Sequence, residues 1–213
     1  MNVIILGSPG SGKGTQAQII SKKFNLIQVS TGDLLRDEIK KNTEIGKKIE
    51  EIISKGDFAS DDIVNKLLKN VVKSPEFRNR IIFDGYPRTV NQAENLELLL
   101  NENNQSINCI LFLSVSREII EKRILGRIVC GKCNKTMNEY IDKNEVDAHN
   151  CGKSYLVKRK DDNKEAITTR LDEYIKKTKP VLEFYSSRTY FHKIDGSEKI
   201  HVITSKIEQI LNL

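Results

Sequence analysis

The chain has 213 residues, 38% of them hydrophobic and 30% charged, with four prolines and no tryptophan. That balance, at a length sufficient for one sizeable core, excludes a disordered or fibrous protein. The formal charge of +6 fits two readings, lysine-rich solvated faces or attraction for polyanions such as nucleic acid or nucleotide phosphates, and charge alone does not choose.

Met1–Leu6 carries no basic leader and runs straight into glycines, so no signal peptide is expected and the location is cytoplasmic. Apolar runs such as Cys109–Leu113 are too short to span a bilayer, so no membrane contact is expected. Val3–Leu6 reads as a buried strand, and Gln16–Phe24 has helical spacing of Ala17, Ile20 and Phe24. Leu26–Val29 reads as a second strand. Asp33–Lys41 and Thr43–Lys55 read as amphipathic helices, the second closed by Gly56 as a C-cap. Asp61–Val72 continues in helical period, and Ile81–Phe83 is a third strand ending in Asp84-Gly85. Thr89–Leu100 reads as a helix, Ile107–Val115 as a fourth strand, and Ser116 caps a helix over Arg117–Leu125.

From Gly126 to about residue 160 helical periodicity disappears, while Cys, Gly, Asn and Lys accumulate. A long helix over 161–187 and a final strand near His201–Thr204 follow. Alternating strands and helices predict an α/β fold with a parallel sheet, and the cysteine-rich stretch reads as an insertion. His192 and His201 read as structural residues in or beside strands.

Gly7-Ser8-Pro9-Gly10-Ser11-Gly12-Lys13-Gly14-Thr15 lies between the first strand and the first helix, the context a phosphate loop requires. Its glycines let backbone N–H groups turn inward around anionic oxygens, and the helix N-terminus faces the same site. Lys13 would reach the outer phosphates. Gly14 stands where a hydroxyl residue usually follows the lysine, so Thr15 is not assumed to ligate a metal.

This variant of the loop resembles the nucleoside monophosphate kinases. Ser30-Thr31-Gly32-Asp33-Leu34-Leu35-Arg36, Phe83-Asp84-Gly85-Tyr86-Pro87-Arg88-Thr89 with Gln92, and Arg159-Lys160-Asp161-Asp162 with Arg170 are similar to adenylate kinase motifs. The resemblance covers essentially the whole chain. It implies a P-loop three-layer α/β sandwich with a five-stranded parallel sheet. The core would comprise 1–29, 60–125 and 161–213, with an AMP-binding insertion at 30–59 and a lid at 126–160. The implied activity is reversible phosphoryl transfer from MgATP to AMP, giving two ADP, by a monomer without nucleic-acid or membrane partners.

By the same resemblance, Arg36 and Arg88 hold the acceptor phosphate, Arg123 and Arg127 face the donor phosphates, and Arg159 and Arg170 bridge both substrates. With Lys13 these form the catalytic set, apart from Arg127, which is assigned to donor binding. The loop residues Gly10, Ser11, Gly12, Gly14 and Thr15 cradle the donor, which Thr136, Met137 and Glu198 also touch. Thr31, Gly85 and Gln92 face the acceptor adenine, with Tyr86 and Pro87 beside them and the backbone of Asp57, Phe58 and Ala59 lining the pocket. Asp84 holds the waters of Mg²⁺ or serves as a structural hydrogen-bonding group.

Of the four cysteines, Cys109 reads as a small buried hydrophobe. Cys130, Cys133 and Cys151 cluster within 22 residues, which suggests metal more than disulfides in a chain without export signals. Cys130-x₂-Cys133 is a zinc half-site. Ser154 is a poor ligand, and His149 completes the preferred set Cys130, Cys133, His149, Cys151, although His-x-Cys is unusual spacing. The alternative is a lid that has lost its metal. Two other functions compete. One is a UMP, CMP or GMP kinase, which the long lid and the Thr31/Gln92 pair oppose. The other is a nucleotide-gated nucleic-acid module, which the dispersed lysines and 6% aromatic content oppose.

Overall fold

The structure is a computed structural model describing residues 1–55, 57–159 and 161–212. The expected cap at Gly56, and Lys160 of the lid motif, lie outside the described residues. Five strands form the main sheet: β1 (Val3–Gly7), β2 (Ile27–Ser30), β3 (Ile81–Asp84), β4 (Cys109–Ser114) and, late in the chain, a strand over Phe191–Asp195. All neighbours are parallel, in the order β2-β3-β1-β4 and then Phe191–Asp195. This is the expected α/β architecture.

Every residue of β1 is buried because the sheet is covered on both faces. Alternate side chains separate cleanly. Ile4 and Leu6 join Val29, Phe83, Leu96, Val181 and Tyr185 on one face, while Val3 and Ile5 join Ala17, Ile20, Leu111, Ile203 and Ile207 on the other. The helices α1 (Lys13–Lys23), α2 (Thr31–Lys40), α3 (Glu44–Ser54), α4 (Asp61–Lys73), α5 (Val90–Glu102) and α6 (Arg117–Leu125) follow the expected order. Ser30, Thr43 and Thr89 cap α2, α3 and α5 through their side chains, accepting from Asp33, Gly46 and Gln92 N–H groups.

The cysteine-rich stretch is a three-stranded antiparallel sheet of β5 (Arg127–Cys130), β6 (Thr136–Asn138) and β7 (Leu156–Val157), with the short helix α7 (Lys143–Asp147). Its strands are too short to show a two-residue period. The long helix is α8 (Lys164–Glu173) and α9 (Lys179–Tyr185), joined by a π-helical turn at Tyr174–Thr178.

The last strand is a correction. It is β8 (Phe191–Asp195), and the β-branched run His201–Thr204 belongs to the helix α10 (Ile200–Leu211). The helical period wins there because Ile203, Ile207 and Leu211 bury one stripe against the sheet. β8 is an edge strand whose polar His192 and Lys193 hid its register on Leu111 and Phe112 of β4. His201 is therefore helical and exposed. Among the described residues no helix is long and apolar enough to cross a membrane.

Candidate active site

The strand order reverses at β1, and ligands of open α/β sheets bind beyond the carboxyl ends of strands at such a point. A cleft of about 740 Å³ opens there. Its floor is the glycine loop, which needs a left-handed backbone at Gly12 (φ 96°) where α1 begins. Gly10, Ser11, Gly12, Lys13, Gly14 and Thr15 all line it. The Ser8 and Ser11 hydroxyls are buried with no hydrogen-bond partner among the described residues.

Lys13 Nζ donates to the carbonyls of Gly7 and Ser8, each at 2.8 Å. Part of its surface meets solvent, yet it is ringed by protein atoms. Burial pushes its ammonium down to about 7, with the Asp84 carboxylate opposing that shift and Arg88 and Arg170 adding to it.

All six predicted arginines line the cleft. Arg36 from α2 pairs with Asp33 at 2.5 Å. Arg127 from β5 makes a bidentate pair with Asp162, with Nε to Oδ2 at 2.7 Å. Arg170 from α8 pairs with Asp161 at 3.0 Å and Asp162 at 3.5 Å. Arg123 donates to the Gly196 carbonyl at 2.8 Å, which ties α6 to the loop carrying Glu198. Arg88 donates through Nε to the Gly85 carbonyl at 2.8 Å. Gly85 needs to be glycine, because its φ is 75° and a Cβ would stand 3.2 Å from Arg88 Nη2.

Burial depresses Arg88 to about 10, with Arg170 adding to it, and depresses Arg159 to about 10, with Arg127 and Arg36 adding. Crowded, partly desolvated like charges of this kind are stabilised by a bound anion.

Thr136, Met137, Glu198, Phe58, Asp84, Gly85 and Pro87 also line the cleft. Thr31, Tyr86 and Gln92 are buried. Thr31 donates to the Gly85 carbonyl at 2.8 Å, and Tyr86 to Asn65 Oδ1 at 2.7 Å. Gln92 uses both ends of its amide inside the protein, accepting from Arg88 N–H at 2.7 Å and donating to Asp61 at 2.5 Å. One N–H and one carbonyl lone pair of that amide are left over by these two bonds. Ala59 is buried and Asp57 exposed, its N–H bonded to the Ile52 carbonyl at 3.2 Å.

Sequence reasoning gave no role to Gln28, whose Nε2 donates to Asp84 Oδ2 at 2.8 Å, or to Asp61, which anchors Gln92. It also gave none to Asp33, Asp161 and Asp162, which hold Arg36, Arg127 and Arg170, although all three stood inside the quoted motifs.

Burial raises the Asp84 carboxyl. A Cβ at position 14 would come 3.4 Å from Asp84 Oδ2, so Gly14 leaves that carboxylate close to the phosphate loop. A buried carboxylate facing a phosphate site fits Mg²⁺, a hard oxygen-seeking cation.

The lid holds a second cluster. The ligand atoms of Cys130, Cys133, His149 and Cys151 all lie within 4.8 Å of one another. Tetrahedral zinc with bonds of roughly 2.3 Å to sulfur separates ligand atoms by about 3.8 Å, so the set is compatible with structural zinc. Asn134, left-handed at φ 59°, closes the turn between the first pair, and its N–H reaches the Cys130 carbonyl at 2.9 Å. Burial alone would raise the Cys130 thiol, but the Cys133 N–H, His149 and the Lys132 N–H hold it down to about 6. Among the described residues all four cysteines are free thiols.

A phosphate loop faced by arginines from six other segments can hold two polyanions at once, which defines a P-loop phosphotransferase. A family model described as adenylate kinase matches residues 5–190. An adenylate kinase of Pelagibacter ubique (strain HTCC1062) is 57% identical over 213 residues, 100% of both chains. One of Zymomonas mobilis subsp. mobilis (strain ATCC 31821 / ZM4 / CP4) is 38% identical over 213 residues, covering 99% of this chain and 96% of that one. One of Listeria monocytogenes serotype 4b (strain CLIP80459) is 36% identical over 212 residues, 99% of each. The chain belongs to the adenylate kinase family. It transfers a phosphoryl group from ATP to AMP, giving ADP.

Proposed function

We propose that transfer runs in line, without a covalent intermediate, between a donor on the glycine loop and an acceptor between Arg36 and Arg88. An AMP phosphate oxygen attacks the terminal phosphorus of ATP. The bond to the bridging oxygen breaks, the phosphoryl group moves, and both products are ADP. The nucleophile is already an anion, so no general base is needed; the protein aligns charges and excludes water.

Lys13 and the loop N–H groups hold the outer donor phosphates. Arg123 and Arg127 face the donor, with Thr136, Met137 and Glu198 around its base. Arg159 and Arg170 bridge the two substrates when the insertion (30–59) and the lid (126–160) close on the core. Thr31, Gly85, Gln92 and the 57–59 backbone surround the acceptor base. Asp84, braced by Gln28, would hold Mg²⁺, which neutralises donor phosphate charge. Cys130, Cys133, His149 and Cys151 would hold zinc, which would be structural because four protein ligands would leave no open position. A monomer is what the family resemblance implies, and cysteines kept as thiols or thiolates suit a reducing compartment such as the cytoplasm.

The partly desolvated arginine cluster facing the loop carries this reading. Its test is Arg88→Ala, which should lower kcat by about 10³-fold, the scale of a single well-placed arginine. The circular dichroism spectrum should be unchanged, and near-normal turnover would overturn the role given to Arg88.

A further inference from the structure

The Phe58 ring is not a motif residue of the phosphate site, yet it meets the centre of the machinery. It follows α3, whereas Arg88 lies between β3 and α5, and Lys177 lies in the π-helical turn. Arg88 Cζ stands 4.7 Å from the ring centroid and Lys177 Nζ stands 5.7 Å from it. Both lie within the range where the negative face of an aromatic ring attracts a cation.

Arg88 is otherwise held along its backbone. Its N–H donates to Gln92 at 2.7 Å, and its carbonyl accepts from Thr178 Oγ1, in the same π turn, at 3.0 Å. Nε is taken by the Gly85 carbonyl. Four guanidinium N–H donors remain on the two Nη atoms, and a single hydrogen bond, at Nε, orients the plane in which they fan out. The Phe58 ring is a further contact on that group, its centroid 4.7 Å from Cζ.

We propose that Phe58 is a positioning residue for phosphoryl transfer: its ring sets the plane of the Arg88 guanidinium and links the acceptor insertion to that arginine. This rests on the role given to Arg88 above. An arginine contributes to transfer only when its donors meet the charge that develops on the moving group, so loss of the platform lowers kcat more than it weakens binding.

Phe58→Leu keeps an apolar side chain and removes the π face. At saturating MgATP and AMP its kcat should fall roughly 3- to 20-fold, the span of a partly desolvated cation–π contact. KM for ATP should be unchanged, and Phe58→Tyr should retain most of the turnover. In an Arg88→Ala background, Phe58→Leu should cause no further loss. Phe58→Met, compared by thermal melting, separates a folding defect from a positioning one.

An equal fold-loss in both backgrounds would overturn the inference, as would a rise in KM for AMP with kcat intact, which would make the ring a wall of the acceptor pocket. A normal Arg88→Ala defect beside an unaffected Phe58→Leu overturns this inference alone. Near-full activity of Arg88→Ala overturns the Arg88 assignment and this inference with it.

Discussion

Lys13 shows how a single residue carries both the motif and its cost. Held against the Gly7 and Ser8 carbonyls and ringed by protein, its ammonium is pushed from 10.5 to about 7. The depressed value means that the folded, nucleotide-free protein binds fewer protons than the unfolded chain between those two pH values. This group therefore lets stability rise with pH across that window. A donor phosphate placed beside Lys13 favours the charged form and returns the pKa upward. At pH 8 nucleotide binding should take up close to one proton at this residue, and at pH 6 none. Calorimetry in buffers of different ionisation enthalpy checks this, and a binding enthalpy independent of buffer at pH 8 would refute it. Lys13 and the six arginines were legible because each sits at a fixed offset from glycines or from another motif. Their counter-ions and the Phe58 ring were not, because a neighbour in space leaves no spacing in the sequence.

At the scale of elements, β1, β3 and the helices α1 to α6 were readable from apolar runs, periodicity and caps. β8 was not, since an edge strand with polar residues shows only its single buried Ile194. The π turn was also invisible, because one extra residue per turn changes no composition. It sits beside the cleft, as such turns often do at functional sites, and brings Thr178 to Arg88. One helix carries an excess polar atom. Tyr185, at the end of α9, is fully buried, and its hydroxyl has no partner among the described residues. The hydroxyl contributes desolvation cost without a hydrogen bond. Tyr185→Phe should raise the free energy of unfolding by about 1 kcal/mol in urea titrations, with kcat unaltered. A loss of stability would show that the hydroxyl is satisfied in solution.

On the scale of the whole molecule, the lid is a small sheet with a thin apolar interior, Ile128, Cys130 and Met137 being its buried apolar residues. Such a unit needs another constraint to hold one shape. Three are present. Arg127 and Asp162 fix its root. Gln18 of α1 donates to the carbonyl of Asn134, which closes the Cys130–Cys133 turn, at 3.0 Å. The Cys₃His cluster joins that turn to the far end of the stretch. His149 was found in the sequence only by weighing the ligand chemistry of residues near Cys151, since its spacing matches no common pattern. If zinc occupies the cluster, protein purified without chelator should contain about one zinc per chain, the stoichiometry of a closed four-ligand site. Removing it, or replacing Cys151 by serine, frees the turn that Gln18 grips. Amide exchange across 127–157 should then accelerate, while β1, β3 and β4 keep their protection, because a local opening leaves the main core intact. The closed arrangement in which Arg159 meets the substrates becomes less populated, so kcat falls while the melting of the core stays constant. Zinc-free protein with the same lid exchange as the untreated enzyme would show that Arg127–Asp162 and Gln18–Asn134 hold the lid without metal.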